Sequence, residues 1–326
     1  MKKIALEEHF CTPELAGYAC GPAMSMQREG FARFEPRLLE IGAERIEAMD
    51  RAEIELAVLS VTTPGVQREP DTALAIARAQ RVNDYLATRI ARHPRRFAGF
   101  AHLPLQDPLA AADELTRCVT ELGFRGAMIN GHTNGHYLDE RRFDPFWERA
   151  QSLGVPVYLH PSDPWDSPHM YQGHRELLGA TWSWTVEAAT HALRLVFGGT
   201  FTRFPALTVI LGHMGETLPY LLWRLDSRTR VTGVEAGAVP PSQIIRRNIV
   251  VTTTGVCAHP SLLCALAALG EDRVLFSVDY PYEDCSVAAR FIETAPIGAA
   301  GLRKVCYANA ERVLGLKLAS ERSAAA

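Results

Sequence analysis

Short runs of apolar and β-branched residues recur along the chain, and longer stretches with apolar positions at helical spacing separate them. The runs are KKIALEEHF (2–10), IELAVLSVTTP (54–64), RFAGFAHLPL (96–105), FRGAMING (124–131), VPVYLHPSD (155–163), LTVILGHMG (207–215), RNIVVTTTG (247–255) and RVLFSVDYPY (273–282). They are near-continuously apolar, as parallel strands covered on both faces are. Helices are expected over 72–92, 108–122, 141–153 and 258–269. Eight βα units of this kind close most naturally into a (β/α)8 barrel of the TIM type, an α/β fold. A doubly wound sheet would have fewer strands and a Gly-rich phosphate turn, and no G-x-G-x-x-G occurs here.

Two connections exceed simple barrel loops: 11–42 after the first strand, and 164–184 after the fifth, the latter rich in Trp, His, Pro and Ser. Connections of that length in a compact domain are commonly lids or substrate loops. A single domain over 1–318 is expected, with 319–326 (ASERSAAA) as a disordered tail.

Composition narrows the function. The 326 residues are 47% apolar, enough to bury a large core, and a formal charge of −3 gives no footprint for nucleic acid or an anionic membrane. No apolar run reaches the length of a membrane span, and Glu7, Glu8 and His9 interrupt the place where a signal peptide would be apolar. The seven cysteines (Cys11, Cys20, Cys118, Cys257, Cys264, Cys285 and Cys306) are odd in number and lack a C-x-x-C pair, which suits reduced thiols in a cytoplasmic protein. Lysine occurs only at Lys2, Lys3, Lys304 and Lys317, so a mechanism needing a mid-chain lysine has no residue for it.

Reactive groups in such a barrel sit where strands end. Glu7 and His9 close the first strand, His160 the fifth, His213 the sixth and Asp279 the eighth. Residues two apart on a strand share a face, so Glu7 and His9 can point to the barrel axis together while Glu8 turns away into a structural role. Glu7, His9, His160 and Asp279 would then offer two nitrogens and two carboxylates, a set that suits one Zn²⁺ or Mn²⁺ with open positions for substrate. Any one histidine at a strand end is more often a hydrogen-bonded core residue than a ligand, and the weight lies in the joint pattern. His102, after the third strand, is a further candidate for the pocket wall. In HMGE, Gly212 and Gly215 permit a tight turn around His213, and Glu216 opens a helix where its carboxylate can charge or orient that imidazole, making a proton carrier. Arg224, eight residues on, can pair with Glu216, bind an anionic substrate or form a surface salt bridge; Asn130 can supply an amide to the pocket or merely a turn.

With ALEEHF, YLHPSDP, LGHMGETLPYLLWRLD and LFSVDYPYE in that order, the chain resembles the amidohydrolase superfamily, in its metal-dependent ortho-hydroxybenzoate decarboxylase branch on the γ-resorcylate (2,6-dihydroxybenzoate) side. The resemblance implies Glu7, His9, His160 and Asp279 as ligands of one Zn²⁺ or Mn²⁺ per subunit, His213 with Glu216 as the proton-handling pair, and Arg224 as the arginine of the following helix. Its E-x-H start, without an H-x-H or a strand-four lysine, argues against a binuclear hydrolase. His9 stands where some related decarboxylases carry alanine. It implies reversible, non-oxidative decarboxylation of a small aromatic carboxylate, with Asp279 keeping its proton in a closed site and donating it to the ring carbon, His213, Arg224 and Asn130 holding ring substituents, and a homodimer or homotetramer as the assembly. A mononuclear lactone or amide hydrolase and a non-catalytic metal-binding barrel are the alternatives.

Overall fold

A computed structural model describes residues 1–20, 24–166, 168–232 and 239–318. The expected tail 319–326 lies outside the described residues. All eight apolar runs form parallel strands: β1 (Lys3–Phe10), β2 (Ile54–Val61), β3 (Phe97–Gly99), β4 (Ala127–Asn130), β5 (Val157–His160), β6 (Val209–Leu211), β7 (Ile249–Thr252) and β8 (Val274–Leu275). They pair in two arcs, β1-β2-β3 and β4-β5-β6-β7-β8. Two seams complete the (β/α)8 barrel. Ala101 N–H donates to Gly126 O at 2.8 Å and Met128 N–H to Ala101 O at 3.1 Å, joining β3 to β4. His9 N–H donates to Tyr280 O at 2.7 Å and Asp279 N–H to Glu7 O at 3.1 Å, joining β1 to the segment after β8.

Side chains sort into two layers. Ile4, Leu6, Val58, Phe100, Met128, Tyr158, Ile210, Val250 and Leu275 fill the barrel interior, with Ala310 and Leu314 of the last helix packed against them. The alternate positions, among them Ala5, Ala57, Leu59, Ile129, Leu159 and Leu211, pack in the outer apolar layer with the surrounding helices. This explains strands that read as unbroken apolar runs. The helices Thr72–Arg92, Pro108–Thr120, Asp144–Leu153 and His259–Leu269 lie where the spacing predicts them. Aspartates cap several: Asp71 accepts from Leu74 N–H, and Asp107 from Leu109 and Ala110 N–H.

The observed β3 and β8 are shorter than their runs, because the chain beyond them spends its hydrogen bonds on the seams rather than on a regular ladder. The long connections carry short helical turns: Ala16–Tyr18, Arg28–Phe31 and Glu35–Leu39 in the first; His169–Tyr171, Arg175–Leu177 and Gly179–Thr181 in the second. No helix among the described residues is long and apolar enough to cross a membrane.

Two histidines serve the frame. Buried His102 accepts the Val66 N–H at Nε2 (2.9 Å), and buried His191 accepts the Leu138 N–H in the same way (2.9 Å). An accepting nitrogen must be unprotonated, and burial pushes both imidazoles from 6.5 down to about 3. In the unfolded chain both take up protons near pH 6.5, so the unfolded state binds more protons below that pH and their contribution to stability, complete above pH 6.5, is lost as pH falls toward 3. At pH 5 each should have cost about 2 kcal/mol. Urea denaturation at pH 7 and pH 5 measures this: the pH-dependent loss should shrink by about that amount in His191→Asn, and an unaltered loss would contradict the assignment.

Candidate active site and metal centre

The site begins with an irregularity in β1. Ile4 and Leu6 face the barrel interior, so strict alternation would send Glu8 inward and Glu7 and His9 outward. The pairing of β1 with β2 instead shifts register between Ala5 and Glu8. There Ser277 Oγ accepts two successive amides, Leu6 N–H at 3.1 Å and Glu7 N–H at 2.7 Å, the geometry of a bulge. Beyond it the strand is rephased: Glu7 and His9 face the axis and Glu8 faces the seam. Glu8 accepts from Val278 N–H (3.0 Å), Ser277 Oγ–H (3.2 Å) and Tyr280 N–H (3.3 Å). Burial drives its carboxyl up to about 8, against the pull of these amides and of Arg45. Glu8 is therefore the structural residue that the spacing predicts.

Glu7, His9, His160 and Asp279 converge, each offering a ligand atom within 4.8 Å of the others. Glu7 Oε1 lies 3.1 Å from His160 Nε2, and Asp279 Oδ1 lies 3.2 Å from His9 Nε2. Glu7 Oε1, His9 Nε2 and Asp279 Oδ1 are buried without a hydrogen-bond partner. Orphaned atoms of this kind are expensive unless something binds them. His160 Nδ1 donates to Pro161 O at 2.7 Å, which leaves the Nε2 lone pair facing the cluster. The other oxygen of Glu7 accepts from Tyr158 O–H, which also contacts Thr252 Oγ1 at 2.8 Å. Two imidazole nitrogens and two carboxylate oxygens, supported in this way, fit one Mn²⁺ or Zn²⁺.

His213 stands beside this cluster on an unusual turn. His213, Met214, Gly215, Glu216 and Thr217 all have positive φ, between 48° and 79°. Glu216 thus belongs to a left-handed turn, and the regular helix starts after it, at Leu218. A Cβ at Gly215 would lie 2.7 Å from Val251 Cγ1, so only glycine passes there. The turn brings Glu216 Oε1 to 2.6 Å from His213 Nδ1, while His213 Nε2 lies 3.9 Å from Asp279 Oδ2. Burial alone would lower the His213 pKa; the carboxylates of Glu216, Glu7 and Asp279 override it and hold the imidazolium well above the usual range. Conversely, burial raises Asp279, but His213 and His9 overcome it and keep its carboxyl well below the usual range. The charges of the cluster thus favour the imidazolium on His213 and the carboxylate on Asp279.

A cavity of about 400 Å³ opens above these groups. His160, His213 and Asp279 form its base, and Met26, Phe34, Leu178, Trp184, Val256 and Tyr282 much of its apolar wall. The two long connections supply Met26, Phe34 and Leu178, so both line the cavity. Tyr158, Trp184 and Tyr282 escape sequence reasoning. A tyrosine inside an apolar run looks like core, although Tyr282 lies within the quoted YPYE motif.

Three other residues lie outside the cavity lining. Asn130 is buried and donates to Val61 O at 3.2 Å, tying β4 to the end of β2. Arg224 is exposed and lines a separate surface hollow with Phe197, Leu221 and Arg228, while Glu216 is engaged by His213. His102 serves the frame, as described above, and is not a pocket wall.

Residues 34–316 match the family model described as Amidohydrolase. A γ-resorcylate decarboxylase of Polaromonas sp. (strain JS666) is 42% identical over 324 residues, covering 96% of this chain and 98% of its own. A crystal structure of 2,6-dihydroxybenzoate decarboxylase complexed with 2,6-dihydroxybenzoate superposes with a TM-score of 0.89 at 40% identity, covering 97% of this chain and 100% of the other. The dihydroxybenzoic acid decarboxylase of Polaromonas sp. JS666, solved with manganese and the inhibitor 2-nitroresorcinol, also gives 0.89, at 41% identity over 96% of this chain and 97% of the other. With the fold, the ligand cluster and nearly the full length in agreement, the chain belongs to the amidohydrolase family.

Proposed function

We propose that the protein is a carboxy-lyase that removes CO2 reversibly from an ortho-hydroxybenzoate, of the 2,6-dihydroxybenzoate or salicylate type, within a single barrel domain spanning 1–318. The observation that carries this reading is the convergence of unpartnered Glu7, His9 and Asp279 atoms beneath a cavity of about 400 Å³ walled by aromatic and apolar side chains. Decarboxylases similar to this chain act on 2,6-dihydroxybenzoate, and one holds manganese, which favours Mn²⁺ among the candidate ions.

Glu7, His9, His160 and Asp279 would hold the ion. When bound, it supplies a Lewis acid and a template for the carboxylate and ortho-hydroxyl oxygens of the substrate. Asp279, held as a carboxylate by His9 and His213, is the base that takes the ortho-hydroxyl proton as the substrate seats. It then returns that proton to the ring carbon bearing the carboxylate. The carbon–carbon bond breaks, CO2 leaves, and the electron pair restores the aromatic ring. The phenolate left behind needs one proton, which His213 delivers through Nε2 while Glu216 stabilises its charge. One proton is consumed overall, and the reverse sequence carboxylates a phenol. The apolar wall excludes water from the protonated ring.

Asn130 acts on this site through the strand it ties. Arg224 shares the helix Leu218–Thr232 with Tyr220 and Trp223, which are 81% and 74% exposed. That face supports assembly as a homodimer or homotetramer. All seven cysteines are free, in keeping with a cytoplasmic enzyme.

Asp279→Asn should lower CO2 release from 2,6-dihydroxybenzoate at least a thousandfold while the thermal unfolding transition persists; turnover at the parent rate would remove Asp279 from the chemistry. Chelation should abolish activity and Mn²⁺ restore it, with elemental analysis giving one ion per chain. Tyr158→Phe should weaken that binding by roughly 10–100-fold, because it frees Glu7 from its orienting phenol. A lactone panel turned over in place of the benzoates would point to hydrolysis instead. Light scattering should give a mass at a multiple of 35.9 kDa, and Trp223→Glu should shift it toward the single chain.

A further inference from the structure

The roof of the cavity is built from segments far apart in sequence. Ser25 and Met26 come from the connection after β1; Leu178, Gly179, Ala180 and Trp184 come from the chain after β5. The two segments touch. Gly179 has a φ of +67°, and a Cβ there would stand 2.9 Å from Ser25 Oγ.

Asp163 lies where they meet. Its Oδ2 accepts the Ser25 N–H at 2.8 Å, and its Oδ1 accepts Trp184 Nε1–H at 2.7 Å. The residue is buried, at 6% exposure. Its backbone is held independently: the Asp163 carbonyl accepts from Arg68 Nη2 at 2.9 Å and from His132 Nε2 at 3.1 Å. The carboxylate is thus fixed to the barrel rim three residues beyond His160, and one side chain tethers both halves of the roof. Trp184 links the roof to the base of the cavity, its ring centroid 6.3 Å from that of His160.

From this geometry we propose that Asp163 is a positioning residue that locks the two long connections into one roof and thereby sets which ring substituents the cavity admits. The selectivity half of the proposal rests on the decarboxylase reading above; the locking half does not. Because both bonds run to one carboxylate, the segments hold and loosen together. An asparagine of the same size has only one acceptor oxygen, so one of the two donors must lose its partner, and because the segments also meet at Gly179 and Ser25 the loosening reaches both.

Hydrogen exchange followed by mass spectrometry on the Mn²⁺-loaded, substrate-free protein tests the locking. In Asp163→Asn, amides of both 24–26 and 178–184 should exchange at least tenfold faster, with β1 and β5 unchanged. Trp184→Phe, which keeps the carboxylate and removes one donor, should speed 178–184 at least threefold. Unchanged exchange in either segment of Asp163→Asn, or in 178–184 of Trp184→Phe, overturns the proposal. For selectivity, KM for 2,6-dihydroxybenzoate in Asp163→Asn should rise about tenfold, kcat should fall by less, and the Mn²⁺ dissociation constant should stay the same. An unchanged KM overturns the selectivity claim, as does an equal loss of Mn²⁺ affinity, which would route the effect through His160. A parent enzyme that releases no CO2 while its exchange pattern behaves as described would refute the decarboxylase reading and leave the lock intact.

Discussion

The bulge that Ser277 imposes on β1 is the constraint on which the site depends. One hydroxyl takes two successive amides, the strand changes phase, and Glu7 and His9 turn from the helix layer to the barrel axis. The same hydroxyl donates to Glu8, whose carboxyl occupies a seam where the Val278 and Tyr280 amides need an acceptor. Each such buried amide left unmatched would cost about 1–3 kcal/mol. The catalytic phase of β1 and the closure of the barrel are therefore one arrangement. Arg45 adds to it from outside: its Nη2 donates to His9 O at 2.6 Å, and its guanidinium lies 4.6 Å from the centre of the Tyr280 ring.

Charge then decides what the converged residues can do. Glu7, Asp279 and Glu216 bring three negative charges and the His213 imidazolium one positive charge, leaving two that a single divalent ion balances. Burial, the largest influence on His9, holds its pKa down despite the neighbouring carboxylates, so that imidazole is suited to neutrality. A neutral imidazole and an ionised carboxylate are the forms that bind metal. Glu7, His9 and Asp279 are thus favoured in the forms that can bind an ion, while a proton is favoured on His213 beside them.

Much of this was legible in the sequence, because the barrel repeats one simple pattern. Eight apolar runs announced eight strands, and ionisable groups at the ends of three of them, β1, β5 and β8, announced the cluster that can hold a metal ion. Glu8 was legible as an outward residue from its position between Glu7 and His9, although the bulge that makes this true was not. Periodicity has no sign for one hydroxyl accepting two amides from a distant strand. Arg224 and Asn130 show the converse limit. Eight residues of helical spacing place Arg224 near Glu216 in projection, but the intervening turn is left-handed, so that extrapolation fails. Asn130 ends its strand as a ligand would, yet its amide turns sideways to backbone carbonyls. Asp163 sits inside a quoted motif, but its two donors come from connections whose paths no pattern fixes.

The left-handed turn shows why base and roof are built so differently. Non-glycine residues in that conformation cost roughly 1–2 kcal/mol each. Here His213, Met214, Glu216 and Thr217 all adopt it. Such strain persists where the surroundings over-determine it, and they do: β6 leads in, the close pass of Gly215 by Val251 fixes the middle, and the Glu216 to His213 bond holds the side chains. His213, the proposed proton carrier, is thus held by a strand end and a tightly determined turn. The roof has the opposite construction, short helical turns joined by irregular chain and tethered through a few polar contacts. For the proposed reaction, placing the reacting groups on the rigid part and the cavity roof on the tethered part lets the wall change without disturbing His213 and Asp279.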